Sequence, residues 1–198
     1  MVQILNVSSA RQPSARVRQR NEARRLDILR AAARVFRRRG IAAAGMREIA
    51  EEAGLSPGNL YHYFSGKDEI LLFCQERTLE RMQAAVDAAR GTPAERLRAV
   101  LRAHVHCMLD ELEGATAHLD VEALPKKLRA AMIERRDAYE RAVRAIVAEA
   151  MPRGDAALVT RAMLGAVNWT ARWYRPDGAQ APDEIAETLS DYLARGLA

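Results

Sequence analysis

Between Ser56 and Phe64 the chain places Gly58, Asn59, Tyr61, His62 and Tyr63 around two apolar residues, Leu60 and Phe64, that stand four positions apart. Amide, imidazole and phenol groups hydrogen-bond to phosphate oxygens and base edges, and a glycine lets another backbone come close. Leu60 and Phe64 share one helical face and can pin the segment to a core, which turns the polar groups outward. Upstream, Gly54 can take a positive φ at a bend, Ser56 can cap free N–H groups, and Pro57 suits a first helical turn. The local expectation is two short helices meeting at a glycine turn. Ser56, Pro57, Gly58, Asn59, Tyr61, His62 and Tyr63 are then presented to DNA by the second. Lys67 belongs with them. It opens a further helix just after Ser65-Gly66, where the dipole disfavours a cation, and an external phosphate would account for it.

These residues need supports. Leu26, Leu29, Ala32, Ala33, Val35 and Phe36 follow helical spacing over residues 21–39, and Gly40 ends the run. Arg37, Arg38 and Arg39 suit the C-terminal end of that helix, either as partners of its dipole or as phosphate contacts. A second helix is expected from Met46.

With these elements in order, the unit from Ala23 to Phe73 resembles the N-terminal domain of TetR-family bacterial repressors. The resemblance is carried by Phe36, Gly40, Ile49-Ala50, Ala53-Gly54, Leu55-Ser56, Leu60-Tyr61, Tyr63-Phe64 and Lys67. It implies a phosphate contact for Lys67 and a base-edge contact for Arg47, where an arginine can bind guanine through two hydrogen bonds. The chain departs from the family at Gly45, where Ser or Thr is usual as both cap and phosphate ligand.

Charge is divided unevenly. Residues 1–72 carry 13 Lys and Arg against 7 Asp and Glu, a net +6, whereas residues 73–198 carry 18 against 19. A basic first third implies a polyanionic partner at one end only. Residues 1–20 contain Arg11, Arg16, Arg18 and Arg20 without an acid, and are expected to be a disordered basic arm, lying along DNA or simply solvated. Two cysteines, Cys74 and Cys107, with no secretory segment and no membrane-length apolar run, point to a cytoplasmic protein with reduced thiols.

The remainder punctuates itself as helices. Residues 67–90 form one that reaches from the DNA-binding unit into the second domain. Thr92-Pro93-Ala94-Glu95 then opens one that closes near Gly114. Pro125 and Pro152 bound another, Asp155 can cap the next, and Pro182 starts the last. No alternating strand pattern occurs. The expected fold is all-α with about nine helices: residues 21–72 a three-helix DNA-binding domain, and residues 73–198 a larger effector-binding and dimerisation domain.

Residues 156–173 carry apolar side chains around most of the helical circumference, so this helix must be buried on more than one side. Leu164 and Val167, with Ile185, Leu189, Tyr192 and Leu193 of the last helix, are the expected homodimer interface. The segment Asn168 to Gly178 resembles TetR-type regulators of fatty-acid, sterol or branched-acyl catabolism. That resemblance implies an acyl-coenzyme A effector. Trp169 and Trp173 could stack on it or wall a tunnel, with Arg172 on phosphate; alternatively the two tryptophans pack in the dimer interface. Phe73, Met82, Leu101, His104, Met108, Leu112 and Met163 complete the candidate lining, or are ordinary core. His104 and His106 diverge on one helix, and His106 with Asp110 supplies only two ligands, so no metal site is expected. No cofactor, phosphate loop, nucleophile elbow or paired catalytic carboxylates can be identified. The sequence therefore points to a non-enzymatic, ligand-responsive repressor of TetR type, with operator DNA, a small effector and a second copy of itself as partners. An effector-independent architectural DNA-binding protein and a repressor of another hydrophobic ligand are the alternatives.

Overall fold

The computed structural model describes residues 15–110 and 124–196. Eight helices and no strand occur among them: α1 (Ala15–Arg39), α2 (Met46–Glu52), α3 (Pro57–Tyr61), α4 (Lys67–Ala88), α5 (Pro93–Leu109), α6 (Lys126–Ala150), α7 (Ala156–Trp173) and α8 (Pro182–Arg195).

Local chemistry sets the boundaries. Gly40, Gly54 and Gly91 have φ of 73°, 63° and 100°, a left-handed backbone that L side chains resist, and the first two stop α1 and turn α2 into α3. Ser56 caps α3 by accepting from the Asn59 amide at 3.3 Å. Thr92 and Glu95 form a reciprocal capping box on α5, and Asp155 accepts from the Ala157 and Leu158 amides to start α7.

Helix α1 begins at Ala15, not at residue 21. Ala15, Arg16, Arg18, Gln19 and Arg20 are good helix formers, and every residue from 15 to 23 is exposed, so propensity rather than burial extends the helix into the expected arm. Residues 1–14 lie outside the described residues. So do Leu112 and the expected helix end near Gly114, because α5 is described only to Leu109.

One apolar core runs through the molecule. Ile28, Leu29, Val35 and Phe36 of α1 meet Ile49, Leu60 and Phe64; α4 carries the core onward through Ile70, Leu71 and Leu79. Helix α5 sits at the centre of the second half and packs against α4, α6, α7 and α8. Outside the core, Glu52 of α2 accepts from Arg34 and Arg38 of α1, each at 2.6 Å. These two guanidinium groups hold the Glu52 carboxyl below its ordinary range.

Candidate DNA-binding surface and effector cavity

Helix α3 is five residues long, held by Leu60 at 0 % exposure and by buried Phe64 immediately after it. Its anchor residues are thus spent inward, and Ser56, Pro57, Gly58, Asn59, Tyr61 and His62 are all exposed; Tyr61 and His62 stand at its C-terminal end. Tyr63 is half-buried and packs against the core, so its ring is partly structural. Arg47 is exposed in the first turn of α2, whose N-cap Gly45 supplies no side-chain hydrogen bond.

Lys67 is placed differently from the expectation. Its ammonium donates to the carbonyl oxygens of Ile41 at 2.7 Å, Ala42 at 3.1 Å and Ala44 at 3.3 Å, so three donors are directed into the α1–α2 loop. In this structure the unfavourable position at the start of α4 is offset by that carbonyl cage. Phe73 also departs from its expected place. Its ring lies 5.6 Å from Phe64, and the Arg25 guanidinium carbon sits 4.4 Å from both ring centroids. Phe73 therefore fastens α4 to α1 and to the end of the α3 unit.

A cavity of about 390 Å³ lies between α4, α5, α6 and α7. Met82, His104 and Met108 line it, as does Leu164, assigned from sequence to the dimer interface. Leu101 and Met163 are core residues outside its wall, and their positions on the apolar faces do not distinguish core from cavity. The wall also includes Gln75, Thr78, Leu79, Arg136, Tyr139, Glu140, Arg161, Gly165 and Asn168. Tyr139 and Gln75 escaped sequence reasoning because a buried polar residue on a mixed helix carries no periodicity of its own. Only the placing of His104 on the α5 apolar stripe marked a polar centre in this region.

That centre is a chain of hydrogen bonds. Asn168 Oδ1 lies 3.0 Å from His104 Nε2, and the Tyr139 hydroxyl lies 3.0 Å from His104 Nδ1. An amide oxygen only accepts, so Nε2 donates and Nδ1 accepts the tyrosine proton. Burial pushes the Tyr139 phenol well above its ordinary pKa, and it stays protonated. At the mouth, Arg161 pairs with Glu140 at 3.5 Å. His106 faces Asp183 at 3.3 Å, and Asp110 pairs with Arg81 at 3.2 Å.

Trp169, Arg172 and Trp173 lie outside the cavity, on the exposed side of α7. Trp169 is 64 % exposed, Trp173 46 % and Leu158 64 %, and these residues form a stripe with Ala162 and Gly165. Conversely, Leu164, Val167 and Ile185 are buried within the monomer. Successive residues turn by about 100° around a helix, so Trp169 and Trp173 fall on the face opposite Val167. Leu189 and Leu193 are half-buried, and of the expected α8 set only Tyr192 stands fully outward.

A short capped helix behind a glycine turn, carried on three packed helices and joined to a larger helical domain, defines a helix-turn-helix DNA-binding regulator. Residues 28–73 match the model of bacterial regulatory proteins of the tetR family, and residues 90–197 match a tetracyclin repressor-like C-terminal domain. The chain belongs to the TetR family, a family of DNA-binding regulators. It is 30 % identical over 191 residues to the HTH-type transcriptional repressor KstR2 of Rhodococcus jostii (strain RHA1), covering 88 % of this chain and 91 % of that one. The KstR2 protein of Mycobacterium tuberculosis is 28 % identical over 183 residues, with 86 % and 90 % covered. Among solved structures, the TetR family regulator PfmR from Thermus thermophilus matches with a TM-score of 0.77 and 33 % identity over 86 % of this chain and 98 % of that one. AibR in complex with isovaleryl coenzyme A and operator DNA shares the fold, with a TM-score of 0.71 and 24 % identity over 85 % and 97 %.

Proposed function

We propose that the protein is a cytoplasmic, homodimeric repressor that leaves its operator when a small effector, an acyl-CoA thioester, enters the α4–α7 cavity. One observation carries this reading. Helix α4 holds the α1–α2 loop through Lys67 at one end and forms the cavity wall with Gln75, Thr78, Leu79 and Met82 further along. Lys67 and Met82 are separated by about 22 Å of rise along one rigid helix. A ligand that shifts the cavity wall thereby tilts the support of the reading helix and changes the spacing of two such helices in a dimer.

Several features support the details. Arg47 and the exposed residues of α3 read the operator, and the basic start of α1 adds phosphate attraction. The outward stripe of Leu158, Trp169, Trp173 and Tyr192 on α7 and α8 supplies the apolar surface that a four-helix dimer contact needs. Leu79, Met82, Met108 and Leu164 offer an apolar wall to an acyl chain, and Arg136 and Arg161 offer cations to an anionic carrier. The cavity is too small for a whole coenzyme A, which would lie across the mouth. Relatives named as repressors support the repressor role, and the isovaleryl coenzyme A bound to AibR supports an acyl-CoA as the class of effector. An open cavity also speaks against an effector-independent architectural protein, whose core would be filled.

The test is fluorescence anisotropy of the protein on DNA from upstream of its own gene against scrambled DNA, with and without acyl-CoA thioesters. Selective binding released by a thioester, but not by free coenzyme A, is expected. Selective binding that no thioester changes would discard the acyl-CoA proposal.

A further inference from the structure

The lining of the cavity has a chemistry that a plain hydrocarbon chain does not use. Gln75, Thr78, His104 and Tyr139 are each at most 4 % exposed, and all four line it. Burying polar side chains against an alkyl group loses hydrogen bonds that water would otherwise make, so a site selected for saturated chains would replace them with leucine or valine. Here the polar atoms are instead organised. Thr78 Oγ1 gives its proton to the Cys74 carbonyl at 3.1 Å, and Tyr139 gives its own to His104. Both oxygens keep lone pairs able to accept a further hydrogen bond.

Resting on the assignment of the cavity as the effector site, we propose that it selects an acyl group bearing an oxygen function, a hydroxyl or a ketone, at its buried end, read by the Tyr139–His104–Asn168 relay. The relay serves both groups. As built, Tyr139 accepts from a ligand hydroxyl. If the ring proton of His104 moves from Nε2 to Nδ1 and the Asn168 amide turns to donate to Nε2, the Tyr139 proton is released to a ligand ketone. No proton enters or leaves the site in that exchange. The opposite end of the relay is Asn168, exposed on α7 beside Gly165 and Trp169, so the state of the buried end is matched by the orientation of a side chain on the outer helix.

The experiment is isothermal titration of the full chain with valeryl-CoA, γ-hydroxyvaleryl-CoA and levulinyl-CoA, repeated with the free acids, and with operator release followed in parallel. The oxygenated thioesters should bind about ten-fold or more tightly than valeryl-CoA, because a site built to hydrogen-bond rejects the analogue that leaves it unpaired. Tyr139→Phe retains the ring and should bring the three thioesters to within about two-fold of each other by weakening only the oxygenated pair. Asn168→Ala, at the exposed end of the relay, should weaken the ketone thioester while sparing the hydroxyl one, from which Tyr139 still accepts, and gives a second comparison if Tyr139→Phe fails to fold. Equal or tighter binding of valeryl-CoA, or a preference that survives both variants, would overturn the inference while leaving a thioester effector intact. Binding and release by the oxygenated free acids alone would support the inference and remove the thioester reading. No binding by any of these compounds, valeryl-CoA included, would overturn both.

Discussion

Lys67 violates a local rule, with its positive charge at the positive end of α4, and its three carbonyl partners show what compensates it. Lys67→Met should therefore cost about 1–3 kcal/mol of folding stability in urea unfolding, since the loop carbonyls lose charge-assisted partners. Operator affinity should fall through the loosened loop, and the slope of log affinity against log salt should not change. A slope reduced by about 0.9 would instead mean that a phosphate contact had been removed. Glu52 gives a pH-dependent counterpart. Its pKa lies below the ordinary 4.5 because Arg34 and Arg38 donate to it, so its contribution is fully present above that value and is lost as pH falls through the lower, folded-state value. Glu52→Gln should remove this part of the acid-unfolding limb, seen as a smaller stability difference from wild type in acid than at neutral pH. The anomaly at Lys67 was legible in the sequence, but its resolution was not, because backbone carbonyls have no residue signature. Tyr139 was silent for a related reason: its partner His104 is 35 positions away and nothing local joins them.

At the scale of helices, the signals that start and stop elements were readable wherever they rest on one or two residues. Ser56, Thr92 and Asp155 cap α3, α5 and α7, and Gly40 and Gly54 turn the chain as their type requires. Ser56→Ala should cost about 1 kcal/mol of stability and weaken operator binding, because α3 is too short to hold its first turn without the cap. What a helix does with its faces was harder to read. Residues 156–173 are apolar nearly all round, and periodicity cannot say which flank the core takes when both are suitable. The structure gives Val167 and Leu164 to the monomer and leaves Trp169 and Trp173 outside. Replacing both tryptophans with serine should thus yield a monomer by size-exclusion chromatography with a nearly unchanged thermal midpoint at low concentration. Persistent dimers of that variant would place the interface elsewhere. A monomer retains one reading helix, so its operator affinity should fall much more than its fold suffers.

Across the whole molecule, the DNA-facing and cavity-forming halves share one core and one long helix, so occupancy of either should be felt at the other. Binding linkage makes this reciprocal: whatever factor an effector removes from operator affinity, the operator removes from effector affinity. The coupling would pass from the α4 wall to the α1–α3 unit, and the contacts at that passage include the Lys67 cage, the stack of Phe64, Arg25 and Phe73, and the Arg25–Glu69 and Arg77–Glu22 ion pairs. The stack is the better point to test, since Phe73→Leu keeps an apolar side chain on a half-buried position while removing the ring that Arg25 and Phe64 grip. With an effector in hand, calorimetry with and without operator should give a coupling factor of about 5–150 for the wild type. In Phe73→Leu that factor should shrink while the affinity for each ligand alone changes little, because neither the cavity wall nor the exposed side of α3 includes Phe73. An unchanged factor would mean that the aromatic stack does not carry the strain and that the remaining contacts of α4, the Lys67 cage among them, do. Loss of operator binding without effector would mean that the stack holds α3 in its reading position rather than transmitting a shift. The two results differ in the effector-free protein, so a single variant measured in both states separates a positioning contact from a coupling one.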